Sequence, residues 1–155
     1  MTRRGRITIG LAVMAAMLSV VFVVFVRRGD GVIRPDDPCA QPPPMQTYAG
    51  VTLQRVPMDA FKEAQRASRG AIAVVQSYRS CARQAIACER ICGSAQGCPG
   101  RCAKPGTSYH QLGAAIDITQ ASLDTPGVVT ALTEAGWCQS VPKTDPGHFS
   151  FGGCH

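Results

Sequence analysis

Aromatic, charged and histidine side chains are all scarce: of 155 residues 6% are aromatic, 17% are charged and three are histidine. Nowhere do aromatic and basic residues interleave. Most of the net charge of +6 sits at the front, with six arginines and one acid in residues 1–34 against ten basic and seven acidic side chains in residues 50–155. A nucleic-acid-binding face needs a concentrated basic stripe, so no nucleic-acid partner is expected. The absence of any internal repeat excludes a solenoid or propeller. No Leu-x-x-Cys follows the apolar N-terminal run, and Cys39 lies too far beyond it to mark a lipid anchor.

What the chain does have is an apolar start and a supply of cysteine after it. Ile7 to Val26 carries no charge, and twenty helical residues rise about 30 Å, the thickness of a bilayer's hydrocarbon core. Arg3, Arg4 and Arg6 precede the run, whereas Arg27 and Arg28 behind it are partly offset by Asp30, a bias towards an inside N-terminus. A cleaved signal peptide would have an apolar stretch of about 7 to 15 residues ending in a small-x-small site; here Phe22 to Val26 leads directly into Arg27-Arg28. The expectation is a single-pass membrane protein. Residues 1–6 would lie in the cytoplasm and residues 7–26 would form a transmembrane signal-anchor, followed by a proline-rich linker at 27–49 and one domain at 50–155 outside the cytoplasm.

All eight cysteines follow the apolar run, as in a disulfide-reinforced domain in an oxidising space. The expected pairings are Cys138 with Cys154 and a bond from the Cys81 to Cys92 stretch into the Cys98 to Cys102 loop. The rival for Cys88, Cys92, Cys98 and Cys102 is a structural zinc. Their gaps of three, five and three residues are unlike two close pairs separated by a long loop.

About 105 residues remain for the domain, enough for one modest core. Apolar spacing predicts a helix from Asp59 to Ser68, a strand over Ala71 to Gln76, a helix from Ala82 to Cys92 that stops at Gly93, and a helix after Asp124 or Thr125 with Pro126 in its first turn. Strands follow over residues 113–119, 137–141 and 148–151. The fold class is α+β: a small antiparallel sheet with helices packed on one side and the functional site on the sheet face.

Two stretches carry the chemistry: Ser108-Tyr109-His110-Gln111-Leu112-Gly113-Ala114-Ala115-Ile116-Asp117, and Asp145-Pro146-Gly147-His148. Catalytic zinc takes three protein ligands from His and Asp/Glu and keeps a fourth position open, so His110, Asp117 and His148 fill one zinc shell and Asp145 is left as the base. His110 and Asp117 are seven positions apart, and along an unbroken strand an odd offset points two side chains to opposite faces. Gly113 must therefore break the strand, by a positive φ or a bulge.

These residues resemble a known family. The string S-x-H-x-x-G-x-A-x-D is similar to the signature of the zinc D-alanyl-D-alanine carboxypeptidases of the vancomycin-resistance type and their L,D- and D,D-peptidase relatives, which share a fold with hedgehog domains. Ser77-Tyr78-Arg79-Ser80-x-x-x-Gln84 resembles the family's arginine stretch, and Ala135-Gly136-Trp137 followed by Asp145-x-x-His148 matches a region where the family commonly has Glu-x-x-His.

The resemblance implies a membrane-anchored zinc peptidase cutting peptidoglycan stem peptides, with one zinc per domain. Arg79 would hold the developing oxyanion or the substrate carboxylate, Gln84 would orient Arg79 or the substrate, and Ser108 and Tyr109 would line the pocket. Two departures stand out: aspartate replaces the usual glutamate at 145, and Gly147 replaces the aromatic residue often found before the last histidine. An endopeptidase or an L,D-carboxypeptidase would show the same metal string. A non-catalytic zinc module that recognises wall peptides would have no reason to keep both Arg79 and Asp145.

Overall fold

The computed structural model describes residues 30–153. A hairpin comes first. Strands β1 (Gln46–Tyr48) and β2 (Val51–Leu53) pair antiparallel through a two-residue turn in which Ala49 and Gly50 both take positive φ, 49° and 80°. Two such residues in succession give a turn whose twist matches that of its strands.

Helix α1 (Arg55–Ala67) starts one turn earlier than its apolar pattern predicts. Pro57 sits in that first turn, where a missing backbone N–H breaks no helical bond. Then follow β3 (Val74–Gln76), α2 (Cys81–Cys92), β4 (Ala115–Ile118), α3 (Gln120–Leu123), α4 (Val128–Glu134), β5 (Trp137–Cys138) and β6 (His148–Phe151). Helix α2 opens on Ser80, whose hydroxyl accepts from Arg83 N at 3.4 Å, and closes on Gly93 at φ 67°. Helix α3 was not foreseen: it has only four residues, held by Thr119, whose Oγ1 accepts from Ser122 N at 3.1 Å. Helix α4 begins at Val128 behind Gly127, so Pro126 precedes the helix instead of lying within its first turn.

Strands β3, β4, β6 and β5, in that order, form one antiparallel sheet. In register, Ile116 faces Phe149 and Asp117 faces His148 across β4 and β6. Alternation along a strand then sorts the faces. Ile116, Ile118 and Phe149 join Phe61, Met58, Leu132 and Trp137 in the core, which leaves Asp117 and His148 on the opposite face.

Helices α1 and α4 cover the core face. The expectation of helices on one side only is corrected for α2, whose buried Gln84 and Cys88 belong to no part of that core and whose Gln84 lines the cleft on the other face. Strand β5 stops at Cys138, short of the predicted Val141, because Val141 O instead turns the chain by accepting from Thr144 N and Asp145 N at 3.1 and 2.9 Å.

The proline-rich stretch read as a spacer is tied to the domain from Asp30 onward. Val32 is buried, and Gln54, itself buried at the start of α1, bonds Ile33 N, Ile33 O and Leu112 O at 2.8, 2.8 and 2.6 Å. Cys39 is joined to Cys81, a bond the sequence reading did not anticipate. Where one bond from α2 into the following loop was expected there are two, Cys88–Cys102 and Cys92–Cys98, and they overturn a structural zinc on those four thiols. Cys138 is disulfide-bonded too; its expected partner, Cys154, lies outside the described residues.

The membrane-spanning location is corrected: among the described residues no helix is long and apolar enough to cross a membrane. The run Ile7 to Val26, on which that expectation rested, lies outside them.

Gly113 takes φ 62°, as the spacing of His110 and Asp117 requires. A Cβ there would run into Met45 Sδ and come within 3.0 Å of Gln54 N. Gly113→Ala is therefore expected to destabilise the domain by roughly 2 kcal/mol or more, from the left-handed backbone and the crowding together. The check is a urea titration monitored by Trp137 fluorescence; an unchanged midpoint would show that the turn does not need glycine.

Candidate active site

His110 ends a turn in which Gln111 N bonds Ser108 O and Gly113 N bonds His110 O, at 3.0 and 3.1 Å. That turn aims the imidazole back over β4. Ser77 O lies 2.7 Å from His110 Nδ1, and a carbonyl only accepts, so the proton sits on Nδ1. Nε2 is left with its lone pair 3.3 Å from Asp117 Oδ1.

A lone pair facing a carboxylate calls for a cation between them, a proton or a metal. His148 Nδ1 approaches the same oxygen at 2.8 Å, the two imidazole centres are 5.0 Å apart, and donor atoms of all three residues lie within 4.8 Å of one another. Burial works against the charge on Asp117, but the proximity of His110 and His148 outweighs it and holds the carboxyl well below the usual carboxylate range. The three thus form a candidate metal site of two imidazoles and one carboxylate.

Arg79 stands beside this site. Its Nη2 is 3.9 Å from Asp117 Oδ2 and also bonds Gln76 Oε1, while Nη1 donates to Gln84 Oε1 at 2.9 Å. The Arg79 Nε is buried and without a partner. Burial lowers the guanidinium's pKa, opposed by the charges of Asp117 and Asp145. Gln84 is itself buried, and its Nε2 donates to Ala103 O at 2.8 Å. Its amide thus spans from the guanidinium to the loop beyond α2.

Asp145 and His148 share one turn, His148 N bonding Asp145 O at 3.2 Å. Gly147 within it packs so closely that a Cβ would lie 2.8 Å from Ile118 O. That close approach explains glycine in place of an aromatic residue.

All eight residues singled out in the sequence line one cleft of about 930 Å³. Two of them are engaged elsewhere: Ser108 Oγ accepts from His110 N at 3.3 Å, and Tyr109 Oη donates to Gly152 O at 3.5 Å. Three contributors went unnoticed. Gln76 and the carbonyl of Ser77 steer Arg79 and His110, and Gln111 Oε1 accepts from Gly106 N and Ser108 N at 2.8 and 3.1 Å. Only Gln76 left a trace in sequence, as an amide closing an otherwise apolar strand.

An α+β domain with one three-donor cation site on a sheet face, at the foot of a cleft with a clamped guanidinium, has the layout of a metal-dependent hydrolase. Comparison with known proteins gives that layout a family. The family model described as VanY, D-alanyl-D-alanine carboxypeptidase, matches residues 53–144, and the chain belongs to that family. The matched stretch holds Arg79, Gln84, His110 and Asp117 and ends one residue before Asp145.

Two solved structures of VanY-type proteins share the fold. The vancomycin-resistance D,D-pentapeptidase VanY from the VanB-type cassette, a mutant in complex with Zn(II), is 19% identical at TM-score 0.57, covering 74% of this chain and 82% of that one. VanYB in complex with D-alanine-D-alanine is 20% identical at TM-score 0.57, covering 79% and 85%. The LD-carboxypeptidase LdcB is 21% identical at TM-score 0.50, covering 79% of this chain and 68% of its own. No curated protein sequence matches this one.

Proposed function

We propose that the chain is a zinc-dependent D-alanyl-D-alanine carboxypeptidase that removes the terminal D-alanine from peptidoglycan stem peptides. The observation that carries this reading is the convergence of His110 Nε2 and His148 Nδ1 on Asp117 Oδ1, at 3.3 and 2.8 Å, beside the guanidinium of Arg79. Two imidazoles and a carboxylate are a donor set that zinc accepts while keeping a position open. The VanY structures solved with Zn(II) and with D-alanine-D-alanine support the same metal and substrate.

Zinc, when bound, supplies a Lewis acid that polarises the scissile carbonyl and makes water nucleophilic near neutral pH. Asp145 takes the proton from the attacking water and passes it to the departing amine. Arg79 holds the carbonyl oxygen as it becomes negative, a role that suits a guanidinium whose orientation is fixed before substrate arrives. Gln84 is a positioning residue. Ser77 O, by keeping the proton on His110 Nδ1, leaves Nε2 free for the metal.

The test is D-alanine release from N-acetyl-L-Lys-D-Ala-D-Ala by the zinc-loaded chain, with and without a chelator. Release that the chelator abolishes is the expected result. Zinc bound without hydrolysis of this or any wall peptide would leave a binding module instead. Within this reading, Arg79→Lys is expected to lower kcat roughly 100-fold with zinc content unchanged, because a lysine cannot be clamped by both Gln76 and Gln84 and still face the oxyanion. Turnover and metal analysis of the same preparation check it.

A further inference from the structure

We infer that the loop over residues 97–104 recognises the free carboxylate at the end of the peptide, through Arg101 and Lys104. The inference rests on the carboxypeptidase reading above and names the group that selects its substrate.

Arg79 is poorly placed to do this as well. One N–H of Nη1 and one of Nη2 are spent on Gln84 and Gln76, Nη2 also faces Asp117 at 3.9 Å, Nε is buried, and the N–H groups that remain are taken by the oxyanion. A carboxylate is best held by two parallel N–H donors, which Arg79 does not offer while it holds the oxyanion. Apart from Arg79, the cations lining the cleft are Arg101 and Lys104, and the acids lining it are the ligand Asp117 and the base Asp145. Arg101 and Lys104 are exposed, and neither forms an ion pair among the described residues.

The backbone that carries them is held unusually firmly. Cys88–Cys102 and Cys92–Cys98 fix it to α2, and Cys98 and Cys102 exchange backbone bonds at 2.9 and 3.0 Å. A Cβ on Gly97 would lie 2.6 Å from Cys102 O and 2.9 Å from Lys104 N, so the loop is packed against itself.

One side chain sets its distance from the chemistry: the amide of Gln84 accepts from Arg79 at 2.9 Å and donates to Ala103 O, between the two cations, at 2.8 Å. A carboxypeptidase needs such a ruler, because the bond it cuts and the carboxylate it recognises are always one residue apart. An endopeptidase does not.

The test uses the full zinc-loaded chain carrying Asp145→Asn, so that peptide is not consumed. Calorimetry gives Kd for N-acetyl-L-Lys-D-Ala-D-Ala with a free C-terminus and for the same peptide as its C-terminal amide. Two exposed ion pairs at the upper end of their usual worth give about a thirtyfold preference for the free acid, fading as salt is raised. The preference is expected to vanish in the Arg101→Met/Lys104→Met double variant, while zinc content and melting temperature hold.

A preference that survives in the double variant, or none in its parent, or no binding of either peptide, overturns the inference. D-Alanine release by the unmutated chain is scored separately. Release alongside a surviving preference overturns the carboxylate wall and leaves the carboxypeptidase standing. A preference lost in the double variant, with no release by the unmutated chain, overturns the carboxypeptidase and leaves the wall.

Discussion

Replacing His110 with alanine is expected to take the chain from one bound zinc to none at submicromolar free metal, and D-alanine release to background with it. The expectation follows from the number of donors. Three protein ligands leave none in reserve, and two do not hold zinc against water at that concentration. The ring is also the most firmly directed of the three, buried at 4% exposure and steered by Ser77 O at 2.7 Å. Metal analysis after gel filtration separates this from misfolding, provided the metal-free variant and the metal-free parent melt within a few degrees of each other. A variant that keeps stoichiometric zinc would show that His110 is not a ligand.

Asp145→Asn is expected to lower kcat roughly 100- to 10,000-fold with zinc retained, the range that loss of a general base produces. The geometry behind this is local. Asp145 lines the cleft from an exposed turn, near enough to Arg79 for their charges to interact, and its own backbone O holds His148 N at 3.2 Å. The proposed base and the proposed third ligand are thus delivered together. Asparagine keeps the shape and the turn but cannot take a proton. Asp145→Glu, which restores the length common in the family, is expected to keep activity within about tenfold of the parent. If the asparagine variant turns over at the parental rate, the base lies elsewhere in the cleft.

The candidate metal site was legible in sequence because its members sit inside short strings whose spacing has one geometric solution. His110 and Asp117 could meet only if Gly113 turned the chain, and it does, at φ 62°. Strand β6 was legible from its alternation, and Gly93 marked the end of α2. What sequence could not give were contacts made by backbone or across distance. Ser77 acts through its carbonyl, so its residue type carries no signal. Cys39 pairs with Cys81 across 42 residues, a partner that spacing does not specify.

The hairpin of β1 and β2 escaped notice because each strand is three residues long and its turn falls where the linker was expected to end. Helix α2 was found but put on the wrong side of the sheet. Its stripe of Cys81, Cys88 and Cys92 is engaged in disulfides that bind the helix to the cleft-lining loop and to Cys39.

The most direct test of the account is diffraction from crystals of the zinc-loaded chain, with data collected on either side of the zinc absorption edge. The account predicts one anomalous peak per chain, within about 2.2 Å of His110 Nε2, His148 Nδ1 and an Asp117 carboxylate oxygen, on the cleft side of β4 and β6. A peak elsewhere, or an empty space among those three side chains at saturating zinc, would contradict it.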